Sequence, residues 1–140
     1  MGLTRASECS RLFNNFINIQ MPHKVSKKTL IKKLDTAWSR AVKERAGNKC
    51  EVCGKRESLN SHHYVSRSNR RLRWEVANGI CVCAGCHLFK NDSFHKNPIF
   101  GHFWMEDKRW EDFQWLTCHQ NEIAKWTLAD MEEKLKELES

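Results

Sequence analysis

The sequence predicts a single α+β domain. A small strand–loop–strand–helix core, bracketed by paired cysteines, is flanked by one basic helix before it and several helices after it. Three observations predict this class. Apolar residues recur at three- and four-residue steps over 26–46, and again from residue 97 to the end. Between them, two Cys-x-x-Cys pairs enclose two short stretches of strand character. At 140 residues, 40% apolar and 29% charged, with 6 Gly and 2 Pro, the chain is one domain's worth, neither collagen-like nor low-complexity. No apolar run approaches the length of a membrane span. The chain divides into an N-terminal extension (1–23) and one domain (24–140). The domain comprises a basic helix (24–48), a cysteine-bracketed core (49–95) and a helical C-terminal part (96–140).

Each element has local reasons. Leu30, Ile31, Leu34, Trp38, Ala41 and Val42 share one helical face, with Ser26 as N-cap and Gly47-Asn48 as the stop. The opposite face holds Lys27, Lys28, Lys32, Lys33, Arg40 and Lys43, either a solvated face or one that tracks phosphates. Leu59 to Val65 and Gly79 to Val82 read as strands joined by a basic loop over 66–73, and His87 to Asn91 as the start of a helix. Asn97-Pro98 is an N-cap followed by proline at the first helical position. Ile99, Phe100, Phe103 and Trp104 are then predicted to form an apolar face. A second helix is predicted from about Lys108 to His119, and Thr127 with Asp130 begins the last one as a capping-box-like pair. Trp74, Trp104, Trp110, Trp115 and Trp126 are read as core.

Charge is unevenly placed. The formal net charge is +7, of which residues 24–73 carry +11 and residues 101–140 carry −5. A basic front points to a polyanionic partner such as DNA, met mostly through its phosphates; the acidic end should stay off it. Arg67, Arg70, Arg71 and Arg73 are candidates to grip phosphates bidentately.

Seven cysteines, four of them in Cys-x-x-Cys pairs, argue against a disulfide framework and for a reduced, cytoplasmic, metal-holding set. Two such turns can present Cys50, Cys53, Cys83 and Cys86 to one structural Zn²⁺ in tetrahedral geometry, and Gly54 suits the sharp turn of a knuckle. Cys81 could supply a different sulfur, since Cys81 and Cys83 share a strand face. The two-residue spacing favours Cys83 with Cys86, leaving Cys81 as a small buried residue.

Between the cysteine pairs stand His62-His63, then Asn78, then His87 directly after Cys86. Here the chain resembles the zinc-stabilised HNH, or ββα-metal, endonucleases, with His63, Asn78 and His87 as the three motif letters. The resemblance implies His63 as general base and His62 and His87 as ligands of a catalytic ion, Mg²⁺ or Mn²⁺. It implies that Asn78 pins the loop or orients His63. Asn91, one helical turn past His87, is a third ligand or a water-mediated one, with Asp92 and His95 as lesser candidates. The match extends to phage recombination nucleases of the NinG or Rap type. Lys49–Lys55, His63-Tyr64, Asn97-Pro98 and Lys125-Trp126-Thr127-Leu128 carry it. His87 and His62 stand where that type often has Asn and Gly. This resemblance implies cleavage of branched recombination intermediates in a bacterial host.

Three functions compete: a one-metal DNA endonuclease, a non-catalytic zinc-stabilised nucleic-acid-binding module, and a structural zinc domain. The histidine set favours the first, and the arginine cluster makes the third weakest. Residues 99–140 could form a homodimer surface or simply cover the core.

Overall fold

The computed structural model describes residues 24–140. The predicted extension, 1–23, lies outside the described residues. In chain order the elements are α1 (Lys27–Arg45), β1 (Leu59–His63), a 3₁₀ turn (Val76–Asn78), β2 (Gly79–Cys83), a π-helical turn (Gly85–Phe89), α2 (Pro98–Lys108), α3 (Trp110–His119) and α4 (Leu128–Glu139). The protein is therefore mixed α and β, with a two-stranded antiparallel sheet and several helices. Among the described residues no helix is long and apolar enough to cross a membrane.

The helix ends follow local chemistry. The Ser26 hydroxyl accepts the Thr29 N–H at 3.2 Å, meeting one of the unpaired donors of the first turn. At the other end Gly47 and Asn48 turn left-handed (φ +66° and +52°), and the Asn48 N–H donates to the Lys43 carbonyl. Asn97 caps α2 by accepting from the Phe100 N–H, with Pro98 at its first position. Thr127 and Asp130 form a reciprocal capping box on α4.

β2 is buried along its whole length and divides two cores. On one side Ile80 and Val82 pack with Leu72, Phe94, Met105 and Leu116. On the other, Cys81 joins Leu30, Leu34, Trp38 and Val42 of α1, Trp74, and Met131 of α4. The hairpin register pairs Leu59 with Cys83 and His63 with Gly79. α1 crosses so close to Gly79 that a Cβ there would overlap the Val42 side chain and lie 2.9 Å from the Trp38 ring. Gly79→Ala is therefore expected to force α1 off the hairpin and to destabilise by about 1–3 kcal/mol, as overpacking does, which urea melts would read. An unchanged midpoint would show that α1 yields freely.

Several expectations are corrected by packing. The first strand ends at His63 rather than Val65, because beyond the Tyr64 N–H to Asn78 carbonyl bond the chain is held by the Asn78 side chain instead of a partner strand. On α2, Phe100, Gly101, Trp104 and Met105 face the core, whereas Ile99 and Phe103, one turn apart on the other side, are 68% and 61% exposed. Trp110 is also solvent-facing at 49%, stacked on Phe113. Trp74 is buried, and Trp104, Trp115 and Trp126 pack against the cores.

Candidate metal centres

The first centre is the thiolate set. Cys50, Cys53, Cys83 and Cys86 offer sulfurs within 4.8 Å of one another and could hold a metal ion such as zinc. The Cys53 and Cys83 sulfurs lie 3.6 Å apart. A regular tetrahedron with Zn–S near 2.3 Å has edges of about 3.8 Å, so the spacing fits. The first turn is closed by the Gly54 N–H to the Cys50 carbonyl and the Cys50 N–H to the Lys55 carbonyl, with Gly54 at φ +75°. The backbone N–H of Cys86 holds the Cys83 thiol below its usual range, while burial and the neighbouring sulfurs push the Cys86 thiol up. Lys90 places its ammonium 3.6 Å from the Cys86 sulfur, and the thiolate set raises the Lys90 pKa in turn.

Cys81 stands outside this set. It sits in the α1–α4 core, while Cys83, the last residue of β2, belongs to the opposite one. Burial pushes the Cys81 thiol up to about 11. Its peptide is bracketed by Glu51, whose N–H donates to the Cys81 carbonyl while its carboxylate accepts the Cys81 N–H. Glu51 thereby clips the first cysteine turn to β2. Cys81→Ser is expected to keep its metal content, measured by elemental analysis; loss of the ion would put Cys81 among the ligands.

The second centre is built of imidazoles. His62, His87 and His95 each offer a ring nitrogen within 4.8 Å of the others. His62 comes from the end of β1 and His87 from the π-helical turn. His95 is returned by the loop after it, fixed by the Phe94 N–H to the Cys86 carbonyl and the His95 N–H to the His87 carbonyl. Asn91 does not occupy the position predicted for it. The helical turn ends at Phe89 and Lys90 is extended (φ −69°, ψ 153°), so Asn91 is not a helical turn past His87 but exposed in the loop. Asp92 is exposed too, bonded to Asn97.

The close approach of His87 and His95 fits a bound cation. The Nε2 atoms of His87 and His95 approach to 3.0 Å, close enough to share a proton or an ion between them. The buried Nδ1 of His87 has no hydrogen-bond partner. Burial, and then the neighbouring His87, His95 and His63, depress the His62 pKa to about 3, which keeps its lone pair free at neutral pH.

His63 faces the other way, as adjacent strand residues do. Its ring stacks on Trp38 at 3.8 Å, and its Nε2 lies 2.9 Å from the Arg73 carbonyl. A carbonyl only accepts, so Nε2 carries the hydrogen and Nδ1 keeps the lone pair. Burial lowers the His63 pKa, partly offset by that bond and by Asp35. His63 nevertheless lines the same cavity of about 500 Å³ as His62, His87 and His95, together with Ser66 and Arg67.

Asn78, fully buried, accepts the Val65 N–H at 2.7 Å and donates to the Val65 and Leu72 carbonyls. It closes the 65–72 loop at both ends. The loop's last residues present the carbonyl that holds His63, so Asn78 is a positioning residue at one remove.

The four arginines of that loop divide. Arg73 makes a bidentate pair with Asp35 of α1, and Arg71 bonds Glu75 and Glu122. These two are tied to structural carboxylates rather than free for phosphates, a correction to the loop reading. Arg67 and Arg70 are exposed, and Arg67 is the one lining the histidine cavity. Sequence reasoning also missed Arg109, whose fork reaches Glu51, the Gly79 and Ala77 carbonyls and Asp112, tying α3 to the start of β2.

No family model, curated protein or solved structure matches this chain.

Proposed function

We propose that this chain is a metal-dependent DNA endonuclease that hydrolyses phosphodiester bonds, as its resemblance to HNH enzymes implies. The supporting observation is a base-competent imidazole beside a three-imidazole cluster in one cavity. His63 has Nε2–H committed to a carbonyl and Nδ1 open, and shares its cavity with His62, His87 and His95.

In this reading His62, His87 and His95 would hold the ion, which would supply charge neutralisation to phosphodiester hydrolysis. His63 takes the proton of the attacking water on Nδ1, an imidazole kept neutral by burial. The Trp38 stack and the Arg73 carbonyl fix the ring so that this nitrogen is always the acceptor. Arg67 is placed to grip a phosphate oxygen at the cavity rim. Three nitrogen donors suit Zn²⁺, Co²⁺ or Ni²⁺ better than Mg²⁺ or Mn²⁺, which prefer oxygen ligands. That moves the expected ion away from magnesium and manganese. The cysteine set takes a structural Zn²⁺. The NinG- and Rap-type resemblance extends the proposal to branched recombination intermediates.

The test is incubation of purified protein with plasmid and branched DNA, with each of these ions or with none. Ion-dependent cleavage is expected. Binding without cleavage under every ion would favour the non-catalytic module instead. Arg67→Ala is expected to weaken binding to all sequences alike and to flatten the salt dependence, since phosphate contacts act through counterion release; a titration at two salt concentrations reads this, and unchanged affinity removes Arg67 from the interface.

A further inference from the structure

A second cavity lies on the far side of the loop that holds His63. It has a volume of about 140 Å³ and opens between α1 and α4. Its lining is about as polar as it is apolar: Ile31 of α1, Met131 of α4 and the indoles of Trp74 and Trp126, which meet edge to face at 5.2 Å, stand beside the Arg73 guanidinium, which lies over the Trp74 ring. Trp126 is fixed in place by donating its indole N–H to the Arg70 carbonyl at 2.8 Å. Trp74 is fixed by donating its own to Asp35. The mouth is cationic, with Lys27 and Arg70 both exposed, and neither forms an ion pair among the described residues.

We propose that this cavity receives an unpaired pyrimidine base of DNA, its flanking phosphates held by Lys27 and Arg70. An aromatic lining beneath two cations, Lys27 and Arg70, is complementary to a flat ring carried on a polyanion, the combination by which proteins hold single strands. Size sets the class of base: a cavity of about 150 Å³ takes a single six-membered ring, and a purine's second ring exceeds it. A base in a duplex is stacked and paired, so it cannot enter.

The cavity also adjoins the histidine site. Arg73 lines it, and the carbonyl of Arg73 accepts from His63. The inference rests on reading the basic front as a DNA surface, but not on cleavage.

The experiment is fluorescence anisotropy with the full chain and labelled dT12, dA12 and a blunt duplex, without added divalent ion. Omitting the ion separates it from the nuclease reading, since binding is measured whether or not the histidines cut. The wild type is expected to bind dT12 more tightly than dA12. Trp126→Ala is expected to weaken dT12 binding by about 5- to 150-fold, the loss of one base–aromatic stack, and to leave duplex binding unchanged. Because Trp126→Ala could loosen α4, Ile31→Phe, which fills the cavity from α1 without removing a contact, serves as the second variant and is expected to act in the same direction. Equal affinity for dT12 and dA12, or a filled cavity that binds dT12 as the wild type does, would overturn the proposal. So would parallel losses on the duplex.

Discussion

His63→Ala is expected to slow DNA cleavage by about 10²–10⁴-fold, the usual contribution of a general base, while leaving metal content and DNA affinity near wild type. The reason lies in what the ring touches. Its Nε2 bonds a carbonyl and its face stacks on Trp38, so removing it subtracts a stack and one hydrogen bond but none of the three clustered imidazoles. The variants His62→Ala, His87→Ala and His95→Ala are expected to behave differently. Each removes one of the three nitrogen donors, so raising the ion concentration should restore part of the rate. His63→Ala should not be rescued that way, because its defect is in proton transfer and not in occupancy. Initial rates against ion concentration for all four variants separate the roles. A His63→Ala rate equal to wild type would mean that another group takes the proton.

The other large effect is expected from the thiolate set. Cys83→Ser, or a strong chelator, is expected to remove the structural ion and unfold the centre of the domain. Cys50, Cys83 and Cys86 are buried in the same core as Ile80, Val82 and Phe94, so these sulfurs cannot turn to solvent without opening it. Structural zinc contributes about 10–16 kcal/mol in zinc-finger peptides, comparable to the about 5–15 kcal/mol that holds a whole domain folded. Near-ultraviolet circular dichroism of the six tryptophans would report the loss. A native spectrum with no bound metal would show that the apolar core suffices alone.

What could be read from the sequence was mostly local. Ser26, Asn97-Pro98 and Thr127 mark their helices because a cap is decided within four residues of itself. The cysteine turns were legible for the same reason: Cys-x-x-Cys followed by Gly54 closes on its own backbone. The histidine cluster was only half legible. His62 and His87 stand at motif positions, but the expectation for Asn91 assumed an α-helix running on from His87, and a single π-helical turn ends at Phe89 instead. His95 enters through two backbone hydrogen bonds that no periodicity encodes.

The arginines mark the limit of charge counting. Arg71 and Arg73 read as free cations until carboxylates 51 and 38 residues away come into reach, as Glu122 and Asp35 do. A net charge of +11 over residues 24–73 therefore overstates the free positive surface by Arg45 and Arg71, whose partners Asp112, Glu75 and Glu122 lie outside that span. Asp35 had no visible role in the sequence. In the fold it fixes Arg73 and Trp74 together, and so supports both the carbonyl that holds His63 and one wall of the base-sized cavity.

A second, open metal centre formed by the three imidazoles, distinct from the thiolates, would take up an ion of its own. Calorimetric titration of the zinc-loaded chain with Co²⁺, beside the His62→Ala/His87→Ala double variant, reads this. One further Co²⁺ is expected to bind per wild-type chain and none to the double variant, with the zinc retained in both. A wild-type chain that binds no second ion, or a double variant that binds one equally well, would contradict it.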